Sequence, residues 1–259
     1  MTNLPEFESP KDLVGHAQEH IDRLDGEIKA FFGRNPYAHV IDFDRETRQQ
    51  VYKFRLTAKL PSKVRLVFKD VTSNLRDALD HAVYASAVAL GINSPKKTGF
   101  PFGNDAFHLA SELGTWKFSD VPRELHPVLM SFQPYPGGNN LIIDLNRMRN
   151  PNTHRVIIPI GNASLASEIS NAGGKIVTPA QLGYCKWDAS KDEVEYMRLG
   201  IGSEFKHEAK VAFDVTFADP NIMEGQPVVP ALRAIHAEVD RIVLGIEAET
   251  ARILRERNG

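Results

Sequence analysis

The sequence predicts an α+β protein: a helical-bundle core built from long N-terminal, central and C-terminal helices, with a small antiparallel β-sheet. Three observations carry this. Apolar residues recur at alternating steps of three and four near both ends of the chain and in its middle. Segments between those helices switch to a period of two. No internal repeat or low-complexity tract interrupts the pattern. The expected organisation is a single domain over 1–259, with a helical core at 9–34, 63–150 and 228–257. Its β elaborations fall at 37–58 and 155–218.

The first helix should begin at Ser9-Pro10, with Ser9 as N-cap and proline at the first helical position. Val14, Ala17, Ile21, Leu24, Ile28 and Phe31 form its seam, and Gly33-Arg34-Asn35-Pro36 ends it. The run from His39 to Phe43 is strand-like, and Tyr52, Phe54 and Leu56 alternate with Lys53, Arg55 and Thr57. Residues 37–58 therefore read as a hairpin. Pro61 breaks it, and a long helix follows from about Lys63 to Leu90.

From Gly91 to Pro136 the chain is rich in turns, with short helices expected around 104–113 and 122–131. Asn140 to Arg149 reads as another helix with Leu141, Leu145 and Met148 on one side, and Gly137-Gly138-Asn139 before it as a turn and cap. Val156 to Ile160, Glu193 to Ile201 and Val211 to Phe217 read as strands. Pro227 and Pro230 lead into the last helix, whose seam is Leu232, Ile235, Val239, Ile242 and Ile246. Glu249 stands where an apolar residue is due, so the packed part should end near Ile246. The similar seams of 14–31 and 232–246 imply that the terminal helices lie side by side or meet across a dimer.

Composition sets the bounds on function. The chain has 259 residues, 42% hydrophobic and 25% charged, with a formal net charge of −2. That balance offers no bulk attraction to nucleic acid, so any such binding must come from a local patch. No run of 18 apolar residues occurs, and the first residues lack the basic and apolar regions of a signal peptide. The single cysteine, Cys185, leaves no internal disulfide and no multi-cysteine metal site. A cytoplasmic protein without cofactor is expected.

The most informative stretch is Asn74-Leu75-Arg76-Asp77-Ala78-Leu79-Asp80-His81. At ~100° per residue, Leu75, Leu79, Ala82, Val83, Ser86 and Leu90 share one face of the central helix. Asn74, Asp77, Asp80, His81 and Tyr84 share the other, with Arg76 at the boundary. Charges beside a core helix need partners. Arg76–Asp80 and Asp77–His81 pairs at i, i+4 would supply them without any function.

Arg76-x-x-x-x-His81, with the polar Asp77 right after the arginine, resembles the R-x(4–6)-H signature of HEPN-type ribonucleases. That resemblance implies a dimeric helical bundle cutting RNA without a metal. Arg76 would be the phosphate clamp, His81 the acid/base and Asp77 its helper. Arg76 and His81 point ~140° apart on an ideal helix, which a cleft between two subunits would accommodate. A second resemblance covers 74–155. Asn74-Leu75-Arg76-x-Ala78-Leu79-Asp80-His81, Phe100-Pro101-Phe102, Phe132-Gln133-Pro134-Tyr135 and Asn152-x-His154-Arg155 look like the ordered blocks of a bacterial protein family without assigned function. Thr153 stands where that family usually has lysine.

Together these imply a polar site of Arg76, Asp77, His81, Asn152, His154 and Arg155. Arg147 and Arg149 would add positive charge for RNA or another phosphate-bearing ligand. If residues 74–81 meet 150–155, Asp77 or Asp80 should lie within salt-bridge reach of Arg155 or Arg149. The competing reading is a non-catalytic binding or interaction protein in which these residues form a structural ion-pair network. His16-Ala17-Gln18-Glu19-His20 matches the inverted zinc-peptidase pattern H-x-x-E-H, but both histidines lie off the helical seam, where a solvated flank is expected.

Overall fold

The computed structural model describes residues 4–149, 157–160, 168–188, 190–210, 214–217 and 219–259. It is an α+β fold with a helical core. The chain divides into two compact units. One comprises 1–24, 65–156 and 229–259, and the other 25–64 and 157–228.

Three long helices dominate the first unit: α1 (Glu8–Phe32), α2 (Ser62–Ala89) and α6 (Val228–Asn258). Between the last two run α3 (Ala106–Leu113), α4 (His126–Ser131) and α5 (Asn140–Met148). The seams expected from spacing are the buried ones. Val14, Ala17, Ile21 and Leu24 of α1 are buried, as are Leu232, Ile235, Val239, Ile242 and Ile246 of α6. Polar contacts fix how these two helices run. Lys11 Nζ lies 2.7 Å from Glu247, His236 Nε2 lies 3.1 Å from the Val14 carbonyl, and Arg233 lies 3.1 Å from Asp22. As α1 advances α6 recedes, so the terminal helices are antiparallel neighbours.

Two expectations about these helices need correction. Ser9 is not the N-cap of α1. A 3-10 turn, Pro5–Phe7, leads into a helix that already begins at Glu8, and the Ser9 hydroxyl bonds His81 instead. Nor does the packing of α6 stop near Ile246. Thr250, Ala251 and Ile253 are buried beyond it. The apolar residue expected at Glu249 is replaced one position later by Thr250. Its Oγ1 donates to the Ile246 carbonyl and lies 2.9 Å from Ser86 Oγ on α2. Donating to Ile246, Thr250 accepts from the Ser86 hydroxyl, which joins α2 to α6.

Helix α2 buries Leu75, Leu79, Ala82, Val83 and Ser86 as its spacing implies, and Ala78, Ala85 and Ala87 as well; Leu90, just past its end, is also buried. The helix is enclosed on more than one side. On α5 the buried face is Ile142, Ile143, Leu145 and Met148, with Leu141 only half-buried.

In the second unit, β1 (Tyr37–Asp44) and β2 (Gln49–Leu56) form the expected hairpin. They continue into β6 (Glu193–Gly200) and β5 (Gln181–Asp188) as a four-stranded antiparallel sheet of order β1-β2-β6-β5. Two further ladders join β3 (Ile157–Ile160) to β8 (Asp214–Phe217), and β4 (Glu168–Lys175) to β7 (Glu204–Lys210). Strands β4 and β7 went unread in the sequence because β4 carries Asn171, Gly173 and Gly174, and β7 sets only Phe205, His207 and Ala209 against its four charges. Residues 211–213 of the expected strand at 211–217 lie outside the described residues.

Period-two side chains give the four-stranded sheet two unlike faces. Tyr52, Phe54, Val194, Tyr196, Met197 and Leu199 form an apolar cluster. Within it the buried Tyr196 hydroxyl is hydrogen-bonded to His39, and burial pushes its pKa up. The opposite face is charged. Lys53 bridges Asp42 at 2.9 Å and Glu193 at 3.2 Å, Arg55 also holds Glu193, and Arg198 joins Asp44 to Glu195.

Two predictions follow the two cores. Leu79→Ala removes a side chain with no exposed surface, and should destabilise the protein by ~2–5 kcal/mol in denaturant unfolding. The Asp44 carboxyl is held down to about 2 by the Thr47 backbone N–H and by Arg198. Its ordinary value is higher, so its contribution is complete above about pH 4 and lost as pH falls towards 2. Asp44→Asn should lower stability at neutral pH and flatten the acid dependence in that window, read by circular dichroism.

Candidate functional site

The polar face of α2 meets two other segments of the helical unit: the loop before α3 and the end of α5. The second is placed by local rules. Asn139 caps α5, its side chain accepting from the Ile142 N–H, while Asn140 accepts from Gly137. Gly138 is required, because a Cβ there would stand 2.6 Å from the Gln133 carbonyl. The Gly137-Gly138-Asn139 segment is thus a turn and cap. It leaves Asn146 and Arg149, near the far end of α5, against α2.

Asp80 is the hub. One carboxylate oxygen, Oδ1, accepts from the Phe100 backbone N–H at 2.8 Å and lies 2.5 Å from Arg76 Nη1, an ion pair without the geometry of a hydrogen bond. The other lies 3.6 Å from Arg149, which also reaches Asp77 at 2.8 Å. Arg76 Nε donates to Asn146 at 3.3 Å, and its guanidinium stacks over Phe102, 4.7 Å from the ring centroid. Only 11% of the Arg76 side chain is exposed, against 45% for Arg149 and 38% for Asp77. The arrangement alternates acid and base, so that each charge faces an opposite one.

The expected Arg76–Asp80 pair is therefore present, and so is a salt bridge from Asp77 and Asp80 to Arg149. The expected Asp77–His81 pair is not. Arg149 reaches Asp77 from another helix, and His81 turns to α1, where its Nδ1 lies 2.9 Å from Ser9 Oγ. His81 is exposed at the surface. Arg147 pairs with Asp144 at 3.1 Å on its own helix. Burial pushes the Asp144 carboxyl up, with Arg147 opposing it. The local excess of positive charge read at Arg147 and Arg149 is consequently offset by Asp144, Asp77 and Asp80. Asn152, His154 and Arg155 lie outside the described residues.

Three of the four sequence blocks come together. Asp80 of the first binds the Phe100 N–H of the second, and Arg76 covers Phe102. The Phe100 ring is 6.4 Å from Phe132, at the start of the third, and Gly103 donates to the Pro134 carbonyl at 3.0 Å. Phe132 is seated on α6 at Gly245, where a Cβ would stand 3.1 Å from its ring. Sequence reasoning missed Ser9 and Asn146 as partners. Ser9 lies 72 positions from His81, and no local pattern links them.

His16 and His20 have ring centroids 4.4 Å apart, and the Glu19 carboxylate lies 4.0 Å from His16 with both side chains exposed. Among the described residues no group of three or more His, Cys, Asp or Glu side chains is placed to hold a metal. No helix among them is long and apolar enough to cross a membrane. No protein-family model, no curated protein and no solved structure matches the chain.

The two acids of the network should differ in weight. Asp80→Ala strips the shielded Arg76 and the Phe100 N–H of a partner together, and should cost about 2–4 kcal/mol. Asp77→Ala breaks one half-exposed pair, and should cost about 0.5 kcal/mol. Paired chemical-denaturation curves measure both, and equal losses would refute Asp80 as the hub.

Proposed function

We propose that this chain is a non-catalytic binding protein, and that the 74–81 face is the ion-pair network locking its helical unit. The observation supporting this is the state of Arg76. A phosphate clamp must exchange whatever it holds for substrate, yet Arg76 is shielded between Phe102 and Asp80 and also donates to Asn146. Replacing Asp80 by a phosphate would strand a carboxylate beside the incoming anion and release the Phe100 N–H, both unfavourable. Asp77, the helper of the catalytic reading, is held by Arg149 and not by His81.

One observation favours the HEPN-like ribonuclease instead. His81 is exposed, and Ser9 holds its Nδ1 in the way an acid/base imidazole is oriented. On that second reading the chain is a cytoplasmic homodimer. His81 and Arg76 of two copies would face one RNA, with Asn152, His154, Arg155, Arg149 and Arg147 on its phosphates.

RNA cleavage separates the two readings. The binding-protein reading expects no cleavage by the purified, folded protein from about pH 5 to 9, the range in which histidine changes charge. It also expects Arg76→Ala to lose at least about 2 kcal/mol of stability, with His81→Ala near wild type. The ribonuclease reading expects cleavage in excess chelator to a 2′,3′-cyclic phosphate, lost in a folded His81→Ala variant, and a dimer in sedimentation.

A further inference from the structure

Strand β1 is the outer strand of the four-stranded sheet, and its open edge carries two aspartates but no proline, lysine or bulge. It pairs with β2 in unbroken register from Tyr37↔Leu56 to Asp44↔Gln49, and no described strand pairs with its other side. Natural edge strands are kept short, bulged, or interrupted by proline or lysine, because free N–H and C=O groups recruit other chains. Over its eight residues, Tyr37–Asp44, this strand has no proline, lysine or glycine. By contrast β5, at the opposite edge, pairs with a register shift between Leu182 and Lys186.

The side chains of β1 specify what the edge would accept. Ile41 and Phe43 project on one face, each 53% exposed. Asp42 and Asp44 project on the other, with 44% and 26% of their side chains exposed although Lys53 and Arg198 already reach them. Those two aspartates border a concavity of about 860 Å³ whose described lining holds five carboxylates and three cations. A strand laid along β1 puts its own side chains directly opposite these residues. Apolar ones meet Ile41 and Phe43, and basic ones meet Asp42 and Asp44. On the inner side Ile41 faces Tyr52, while Asp42 and Asp44 face Val51 and Gln49 and are reached by Lys53, opposite Val40, and by Arg198 of β6.

We propose that the open edge of β1 binds, by strand addition, an extended segment of a partner protein that alternates apolar with basic residues. Main-chain hydrogen bonds supply much of the affinity in this mode, and the alternate side chains supply the choice of partner. A second copy of this chain is the poorer occupant. Antiparallel self-pairing that keeps the two faces in register gathers Asp42 and Asp44 of both copies on one face, and like charges across a ladder are unfavourable. The inference concerns residues outside the 74–81 site and stands under either reading of it.

The test is a labelled decapeptide alternating valine or tyrosine with lysine or arginine, titrated into the full chain by fluorescence anisotropy. A glutamate-for-cation version serves as control, and amide hydrogen exchange locates the site. The expected result is saturable binding of the basic peptide, at least tenfold weaker binding of the acidic one, and slowed exchange within 37–44. Phe43→Lys removes an apolar contact, adds like charge to the edge, and should weaken the basic peptide at least tenfold while leaving the circular dichroism spectrum unchanged. No binding, equal binding of the two peptides, or protection that maps elsewhere overturns the proposal. So does wild-type self-association that Phe43→Lys abolishes, which would make the occupant a second copy.

Discussion

A carboxylate set into a helix that is buried on most sides cannot stand alone, and in this protein Asp80 is that carboxylate. About a third of its side chain still meets solvent, so the need for pairing falls chiefly on the Arg76 guanidinium, 11% exposed, and on the Phe100 N–H that Asp80 holds. Its partners come from three places: Arg76 one turn earlier on the same helix, the Phe100 backbone N–H, and Arg149 at the end of α5. The partners are in turn constrained. Arg76 must lie flat between Asp80 and the Phe102 ring, which fixes the loop carrying Phe100 and Phe102. Gly103 then donates to Pro134, Phe132 lies close to Gly245 of α6, and the irregular stretch between α2 and α5 is drawn onto the helices.

Polar pairing of the same kind recurs where the long helices meet. Ser86 and Thr250 share a hydrogen bond between α2 and α6, and Lys11 and Glu247 join α1 to α6 beside the Leu4 N–H. Each pair sits where an apolar seam is interrupted, so each sets which residue lies opposite which. Apolar burial favours compactness but tolerates sliding along a seam. A hydrogen-bonded pair tolerates little, because misalignment leaves two groups unsatisfied. The second unit uses the same rule on a sheet, with Glu193, Glu195, Lys53 and Arg198 paired on the face opposite the aromatic cluster.

The same eight residues can read as a catalytic motif or as a knot, and the difference lies in what is free to exchange. Catalysis needs a cation that can trade its protein partner for a phosphate and an imidazole that can reach the same atom. Arg76 is committed to Asp80, Asn146 and Phe102, whereas His81 faces outward beside Ser9. One belongs to the interior and the other to the surface. That division is the ground of the proposal that these residues form a structural network.

Much of the architecture was legible in the sequence because it rests on periodicity. The three long helices, the 37–56 hairpin, the cap at Asn139 and the buried faces of α2 and α6 all follow from spacings within one element. So did the Arg76–Asp80 pair, which needs only one helical turn. What periodicity could not reach were choices between partners far apart in the chain. Asp77 takes Arg149 in place of His81, and His81 takes Ser9, because tertiary packing brings a cation from α5 and a hydroxyl from α1 within reach. Thr250 extends the packing of α6 past the expected break, its hydroxyl held by the Ile246 carbonyl of its own helix and by Ser86 of α2. Strands β4 and β7 escaped for a related reason: β4 carries asparagine and glycines, β7 has few apolar residues, and their pairing lies in the ladder between them. Local rules decide what an element is, and the pairing of buried polar groups decides what it touches.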